Sequence, residues 1–112
     1  MDPINILNRY FGYHSFRPLQ REIIDATLTG KDSLVLMPTG GGKSLCYQVP
    51  ALMLDGVTIV VSPLISLMHD QVEALVENGI PAAALNSNNN TEEDLLIRRK
   101  CANGEIKLLY MS

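Results

Sequence analysis

A glycine-rich loop that follows an apolar run constrains the fold of this chain more than any other feature. Residues 33–37 form a continuous apolar run of strand length, and glycines occupy positions 40–42. Such runs are typical of strands that are buried on both faces, as in a parallel sheet. Residues 43–54 then read as a helix with a kink at Pro50, because proline lacks the N–H of a helical hydrogen bond. The pattern therefore predicts a strand, a tight loop and a helix in succession.

Helical and strand-like patterns alternate along the rest of the chain. Helices are predicted over residues 3–10, 18–30, 63–79 and 91–103, and strands over residues 57–61, 81–86 and 106–111. Strands that alternate with helices imply parallel strands joined by right-handed crossovers. We therefore predict an α/β fold with an open parallel sheet.

The composition limits the class of protein. The chain has 112 residues, of which 46% are hydrophobic, and this is enough for one modest globular domain. Its net charge of −3 gives no basic field that would indicate nucleic acid or an anionic membrane. The two cysteines form no metal-binding motif, no signal peptide opens the chain, and no apolar stretch is long enough to cross a bilayer. We expect an intracellular protein without a membrane partner.

The glycine loop and its flanks have the chemistry of a phosphate-binding P-loop. Successive backbone N–H groups of a glycine-rich turn form a nest for anions, and the N-terminus of the next helix adds partial positive charge. Lys43 can reach the β- and γ-phosphates of ATP as the catalytic cation, and the Ser44 hydroxyl can bind Mg²⁺. Met37 stands where the strict pattern has glycine. The predicted phosphate-binding residues are Thr39, Gly40, Gly41, Gly42, Lys43 and Ser44.

Three segments together resemble the RecQ family of superfamily 2 DNA helicases. Residues 38–44, PTGGGKS, resemble motif I, in which the first glycine is often absent. Residues 11–20, FGYHSFRPLQ, look like motif 0, and residues 60–72, VVSPLISLMHDQV, look like motif Ia. The resemblance covers most of the chain and implies the N-terminal part of the first RecA-like lobe. The expected fold class is thus an incomplete parallel-sheet P-loop NTPase of RecA-like type.

The resemblance implies that motif 0 recognises adenine. Arg17 and Gln20 are three residues apart at the opening of a helix, so they can face the same way. A carboxamide accepts from adenine N6–H while it donates to N7, and a guanidinium can stack on the base. Tyr13 or His14 would lie on the other face of the base. The alternative is that these side chains lie on a solvated helix surface.

Motif Ia implies contact with DNA. Ser62, Pro63, Ser66 and the N–H groups of a helix N-terminus can hold phosphates without reading bases, which suits a motor that moves over any sequence. The alternative, compatible with the first, is that Ser62 and Pro63 only cap a helix. Because the chain has no dense basic patch, the prediction of DNA as a partner, as single strands and duplex junctions, depends on the resemblance.

Two charged segments of the same helix have plainer explanations. Residues 91–94, Thr-Glu-Glu-Asp, follow a polar loop, and Thr91 with Asp94 resembles a capping box rather than a metal site. Arg98, Arg99 and Lys100 follow Glu92, Glu93 and Asp94 on the same helix, and Arg98 lies four residues after Asp94. Intrahelical ion pairs are therefore expected for these three cations, in preference to a DNA-binding patch.

Phosphoryl transfer needs parts that the sequence does not show. It requires an acid for Mg²⁺, a residue that orients water and usually an arginine finger. We expect residues 1–112 to be the N-terminal portion of a helicase ATP-binding domain, with motifs 0, I and Ia, truncated before the Walker B motif.

The resemblance implies that the parent protein is an ATP-dependent DNA helicase, cytoplasmic (nucleoid-associated) or nuclear, that couples hydrolysis to translocation and unwinding in repair or recombination. The chain alone should be inactive. In RecA-like folds, the strand that carries the acid lies between the strands at 33–37 and 57–61, so a gap is expected there. Another P-loop NTPase, or a non-catalytic nucleotide-binding module, remains an alternative.

Overall fold

The computed structural model describes residues 2–37 and 42–112. The chain divides into two compact units, Met1–Asp55 and Gly56–Ser112. The helices are α1 (Pro3–Ile6), which continues as a π-helical segment (Leu7–Phe11), α2 (Gln20–Leu28), α3 (Leu45–Met53), α4 (Ile65–Glu77) and α5 (Thr91–Ala102). The strands are β1 (Thr58–Val61), β2 (Ala82–Leu85) and β3 (Leu108–Met111). No helix of the described residues is long and apolar enough to span a membrane.

The first unit is a small helical cluster. Its core consists of Ile6, Leu7, Ile24 and Val49, all of which are buried, so that α1, the π-helical segment, α2 and α3 share one apolar centre. Asp2 caps the first helix, because its Oδ1 oxygen accepts from the Ile4 N–H at 3.0 Å. α3 contains Pro50 in its interior, as the sequence predicts, and the proline is buried.

The predicted strand at residues 33–37 is not formed. Residues 31–37 have no regular secondary structure, and Leu34 and Leu36 are 91% and 85% exposed. A strand needs a neighbour for its backbone N–H and C=O groups. The three-stranded sheet consists entirely of strands from the second unit, so this apolar run has no ladder in the described part of the chain.

The second unit contains a parallel sheet with the strand order β1–β3–β2. Thr58 is in register with Leu108 on one side of β3, and Ala82 is in register with Leu108 on the other. β3 is therefore central, and its Leu108 and Tyr110 are almost completely buried. These crossover-linked parallel strands confirm the α/β class and are consistent with an incomplete RecA-like domain.

The helix α4 packs against the sheet with only part of its apolar side chains. Met68 and Leu75 are buried, whereas Leu64, Leu67 and Val76 are 57%, 45% and 55% exposed. Three strands offer too little surface to cover the full apolar face of a helix of this length. The remaining apolar side chains therefore face solvent within this unit.

Candidate functional site

Gln20 lies at the centre of the predicted nucleotide site. It is the first residue of α2 and only 1% exposed. Its side-chain oxygen accepts from the Arg17 N–H at 2.8 Å, and its Nε2 donates to the Gly42 carbonyl at 3.1 Å. The buried amide therefore joins the motif 0 turn to the last glycine of motif I. The alternative of a solvated surface glutamine is wrong for this residue.

The backbone on both sides of this contact is specialised. Leu19, which precedes Gln20, has a φ of 72°, the left-handed region that a leucine rarely adopts. Gly42 has a φ of 82°, and a Cβ at this position would overlap the Nε2 of Gln20. It would also lie 3.8 Å from the Cδ of Arg17. Glycine is therefore required at position 42 for both its φ and the close approach of Gln20.

Lys43 and Ser44 come directly before α3. Lys43 is exposed, and Ser44 precedes the first residue of the helix without capping it through its side chain. The Ser44 carbonyl instead accepts from the Gln48 N–H at 2.9 Å. One turn further, the buried Cys46 thiol lies 3.8 Å from the Gly42 carbonyl, and burial raises the pKa of that thiol above 9.0. Because Lys43 is exposed and the Ser44 side chain caps no helix, their positions are compatible with the contacts to phosphate and Mg²⁺ that the sequence predicts.

A cleft of about 550 Å³ lies beside Lys43 within the first unit. Segment 31–35 forms one part of its wall, and Ile23, Thr27, Cys46 and Tyr47 form another. Thr39, Gly40 and Gly41 lie outside the described residues.

The remaining motif 0 side chains are on the surface. Tyr13 is 53% exposed, and both His14 and Arg17 are exposed. The Nδ1 of His14 accepts from the Asn8 amide at 2.7 Å, so a residue outside the motif orients this imidazole. Sequence reasoning missed Asn8, because a polar residue on a short helix carries no signal for a contact six positions away.

The predicted DNA-contacting residues lie at the carboxyl end of β1 in the second unit. Ser62 follows the strand, and its hydroxyl accepts from the Leu64 N–H at 3.3 Å. The prediction that Ser62 and Pro63 cap the helix is wrong, because α4 begins at Ile65 with Leu64 as its N-cap. Ser66 is exposed on the first turn of α4. The half-buried Ser62 and the exposed Ser66 therefore lie on either side of this helix N-terminus.

The two charged segments of α5 differ from their predictions in detail. The cap is Asn90, whose side-chain oxygen accepts from the Glu93 N–H at 2.8 Å, and not Thr91. A capping role is thus right for this segment, but one residue earlier. In the described part of the chain, no ion pair joins Arg98, Arg99 or Lys100 to an acid, so the predicted intrahelical pairs are absent. Asp94, the acid four residues before Arg98, is half-buried and its Oδ1 is shielded from solvent, whereas the Arg98 side chain is exposed and does not meet it.

The residues beside Lys43 fit a magnesium ion only in part. Ser44 offers a hydroxyl oxygen that caps no helix, which suits Mg²⁺. Mg²⁺ at nucleotide sites is usually also held through one or two carboxylates. The described residues contain no group of three or more His, Cys, Asp or Glu side chains that could hold a metal ion. Ser44 can therefore supply one ligand of such an ion.

Comparison with known proteins defines the class. Residues 17–112 match the model of the DEAD/DEAH box helicase family. The match begins at Arg17 and includes motif I and motif Ia. Since it extends over most of the chain, this chain belongs to the DEAD/DEAH box helicase family.

Three individual relatives, all named as ATP-dependent DNA helicases, are similar to the chain over almost its whole length. The chain is 57% identical to the ATP-dependent DNA helicase RecQ of Pasteurella multocida over 97% of its length and 17% of that protein. It is 54% identical to RecQ of Haemophilus influenzae, covering 97% of the chain and 18% of the relative. The ATP-dependent DNA helicase Q1 of Rattus norvegicus is 46% identical, over 96% of the chain and 18% of the relative. The RecQ resemblance is confirmed, and the chain spans less than a fifth of these relatives' length.

Proposed function

We propose that this chain forms the adenine- and phosphate-binding part of a RecQ-type, ATP-dependent DNA helicase. The observation that carries the proposal is the buried Gln20 amide, which bonds both the Arg17 backbone and the Gly42 carbonyl. A side chain that links a turn predicted to recognise a base with a loop predicted to bind phosphate favours a nucleotide site over a generic glycine-rich turn. The family match and the RecQ relatives support the same activity.

In the proposed mechanism, each described residue has a specific task toward ATP. Arg17 and Gln20 recognise adenine, with Tyr13 or His14 on the opposite face of the base. In its two backbone bonds the Gln20 amide uses one lone pair and one N–H, which leaves a second lone pair and a second N–H for the adenine edge. Lys43 stabilises the charge that develops on the transferring phosphate.

Magnesium has a defined place in this proposal. When bound, Mg²⁺ neutralises charge on the phosphates. Ser44 provides one oxygen ligand for it. The acid that completes this site lies beyond motif Ia in the proposed arrangement, in which residues 1–112 precede the Walker B motif. The chain alone is therefore expected to bind ATP weakly and not to turn it over.

The second unit contributes the proposed DNA contact. Ser62, Pro63 and Ser66 lie at the carboxyl end of β1, where ligands bind in open α/β sheets. Their hydroxyls and the first N–H groups of α4 can hold phosphates without reading sequence. Single-stranded DNA and duplex junctions are the proposed partners, in repair or recombination within the cell.

Nucleotide selectivity tests the proposed site. In the full-length protein that carries this chain, Gln20→Ala should reduce the preference for ATP over GTP and CTP by about five- to a hundredfold in kcat/KM, because a bidentate amide contact is worth about 1–3 kcal/mol. Steady-state phosphate release with each nucleotide, with and without single-stranded DNA, measures this. Gln71→Ala, on α4, is the control and should keep the selectivity. Unaltered selectivity in Gln20→Ala would remove the adenine role, and a wild type without DNA stimulation would remove the helicase assignment.

A further inference from the structure

The second unit has a polar cleft that the predicted motifs do not include. It has a volume of about 490 Å³ and lies between the first turns of α4 and the loop that follows β2. Ile65, Ser66 and Asp70 line it from the helix, and Asn86, Asn88 and Asn89 line it from the loop. Because the loop follows the end of β2, the cleft opens at the carboxyl end of the parallel strands, where ligands bind in such sheets. We name it the asparagine cleft.

The charges of the asparagine cleft argue against a phosphate as its occupant. No lysine or arginine is among its lining residues, and Asp70 contributes a carboxylate that repels anions. His69 also lines the cleft, and its Nε2 lies 3.5 Å from a Glu73 carboxylate oxygen. Neutral amides, one hydroxyl and one carboxylate instead match the donor and acceptor edges of an unpaired base. Ile65 adds an apolar surface on which a base can lie.

The loop amides are fixed in place while part of their bonding capacity is left over. The Asn86 side-chain oxygen accepts from the Asn88 N–H at 2.8 Å, and the Asn89 Nδ2 donates to the Ala84 carbonyl at 2.7 Å. These bonds use the acceptor of Asn86 and a donor of Asn89. The Asn86 amide nitrogen, held in place by the bond of its side-chain oxygen, and the exposed Asn88 side chain remain to meet a ligand.

We propose that the asparagine cleft holds one unpaired base of the DNA strand whose phosphates contact Ser62 and Ser66. Ser66 connects the two features, since it lies on the first turn of α4 and also lines the cleft. The inference rests on the proposed DNA binding and adds to it a contact with the base itself. Amides and a carboxylate can meet the donor and acceptor edges of any base in some orientation, so the cleft tolerates all sequences.

Two variants of the full-length protein test the cleft. Asn88→Ala removes an exposed amide. Asn86→Ser keeps an oxygen that can hold the loop turn while it removes the amide donor. Asn78→Ala, exposed at the far end of α4, is the matched control. Affinity is measured by fluorescence anisotropy for a single-stranded oligonucleotide and for one of equal length made entirely of abasic residues.

The expected result separates a base contact from a phosphate contact. Asn88→Ala and Asn86→Ser should each weaken binding to the base-bearing strand about three- to tenfold, and should bind the abasic strand as the wild type does. Equal weakening on both strands would mean a backbone contact and would overturn the inference. If both variants bind the base-bearing strand with wild-type affinity, the base contact is also overturned, whereas the proposed DNA binding stands. A wild type that binds neither strand would overturn the proposed function as well.

Discussion

At the scale of single residues, the contact between Gln20 and Gly42 links α2 to motif I within the first unit. The amide is almost fully buried, and each of its two bonds ends on a backbone group. Breaking such a bond leaves a buried donor or acceptor without a partner, which costs about 1–3 kcal/mol. The residue proposed to read adenine is therefore also a structural link between α2 and motif I.

A glycine substitution tests this link directly. Gly42→Ala should lower the free energy of unfolding of the chain by more than Gly30→Ala does. Both glycines have a φ of +82°, so both variants carry the same backbone strain of about 1–2 kcal/mol. Only at position 42 does the added Cβ meet a side chain, the Nε2 of Gln20, whereas Gly30 has nothing within 4 Å. Urea denaturation of both variants measures the difference.

The double variant distinguishes the contact from strain alone. In a Gln20→Ala background the neighbour of the added Cβ is gone, so Gly42→Ala should then cost no more than Gly30→Ala. Equal costs of the two glycine substitutions in the wild-type background would contradict the close approach of Gln20 to Gly42.

The buried thiol of Cys46 gives a prediction on pH. Burial raises the pKa of Cys46 above its ordinary value of 9.0 in the folded chain. The stability that this confers is present below pH 9 and is lost as the pH rises through the folded-state pKa, because only the unfolded thiol then ionises freely. Cys46→Ser, which does not titrate, should show a flatter decline in unfolding free energy above pH 9, measured by urea denaturation at several pH values. Parallel declines in the two proteins would contradict the shifted pKa.

At the scale of elements, the chain contains strand-like sequence without a sheet partner. The apolar run at residues 33–37 is exposed and irregular, and β1 is an edge strand with Ile59 and Val61 58% and 77% exposed. In the proposed complete domain, another strand supplies the neighbour that each of them needs. Without that strand, these apolar side chains stay exposed and contribute no free energy of burial to folding.

Matched leucine substitutions test this difference between elements in the 112-residue chain. Leu34→Ala should change the free energy of unfolding by no more than about 0.5 kcal/mol, because the side chain is 91% exposed. Leu108→Ala should cost about 2–5 kcal/mol, because Leu108 is fully buried in β3. Equal losses in urea denaturation would contradict the exposed position of Leu34.

The contrast between residues 33–37 and 108–111 shows what local sequence can predict. Both segments read as buried strands, and only the second is one, because pairing depends on neighbours that a local pattern does not identify. Motif 0 and motif I were identifiable because glycine, lysine and glutamine occur there in a specific order. The bonds of Gln20 to two backbone groups, and of Asn8 to His14, join side chains to positions that no periodicity relates.

At the scale of the whole molecule, the proposed tasks are divided between the two units. The first unit contains Arg17, Gln20 and Lys43, which serve the nucleotide in the proposal. The second contains Ser62, Ser66 and the asparagine cleft, which serve DNA. The chain spans less than a fifth of its RecQ relatives, so catalysis is proposed for the longer protein.

The central claim, that Lys43 belongs to the ATP site of a DNA-stimulated motor, is tested most directly by steady-state phosphate release from the full-length protein. The wild type should hydrolyse ATP faster when single-stranded DNA is added. Lys43→Ala should reduce kcat about a hundredfold or more with DNA present, because a cation on the transferring phosphate is worth several kcal/mol. Lys100→Ala, which removes an exposed lysine of α5, should leave the rate unchanged. A Lys43→Ala protein that hydrolyses ATP at the wild-type rate, with the same stimulation by DNA, would contradict the assignment.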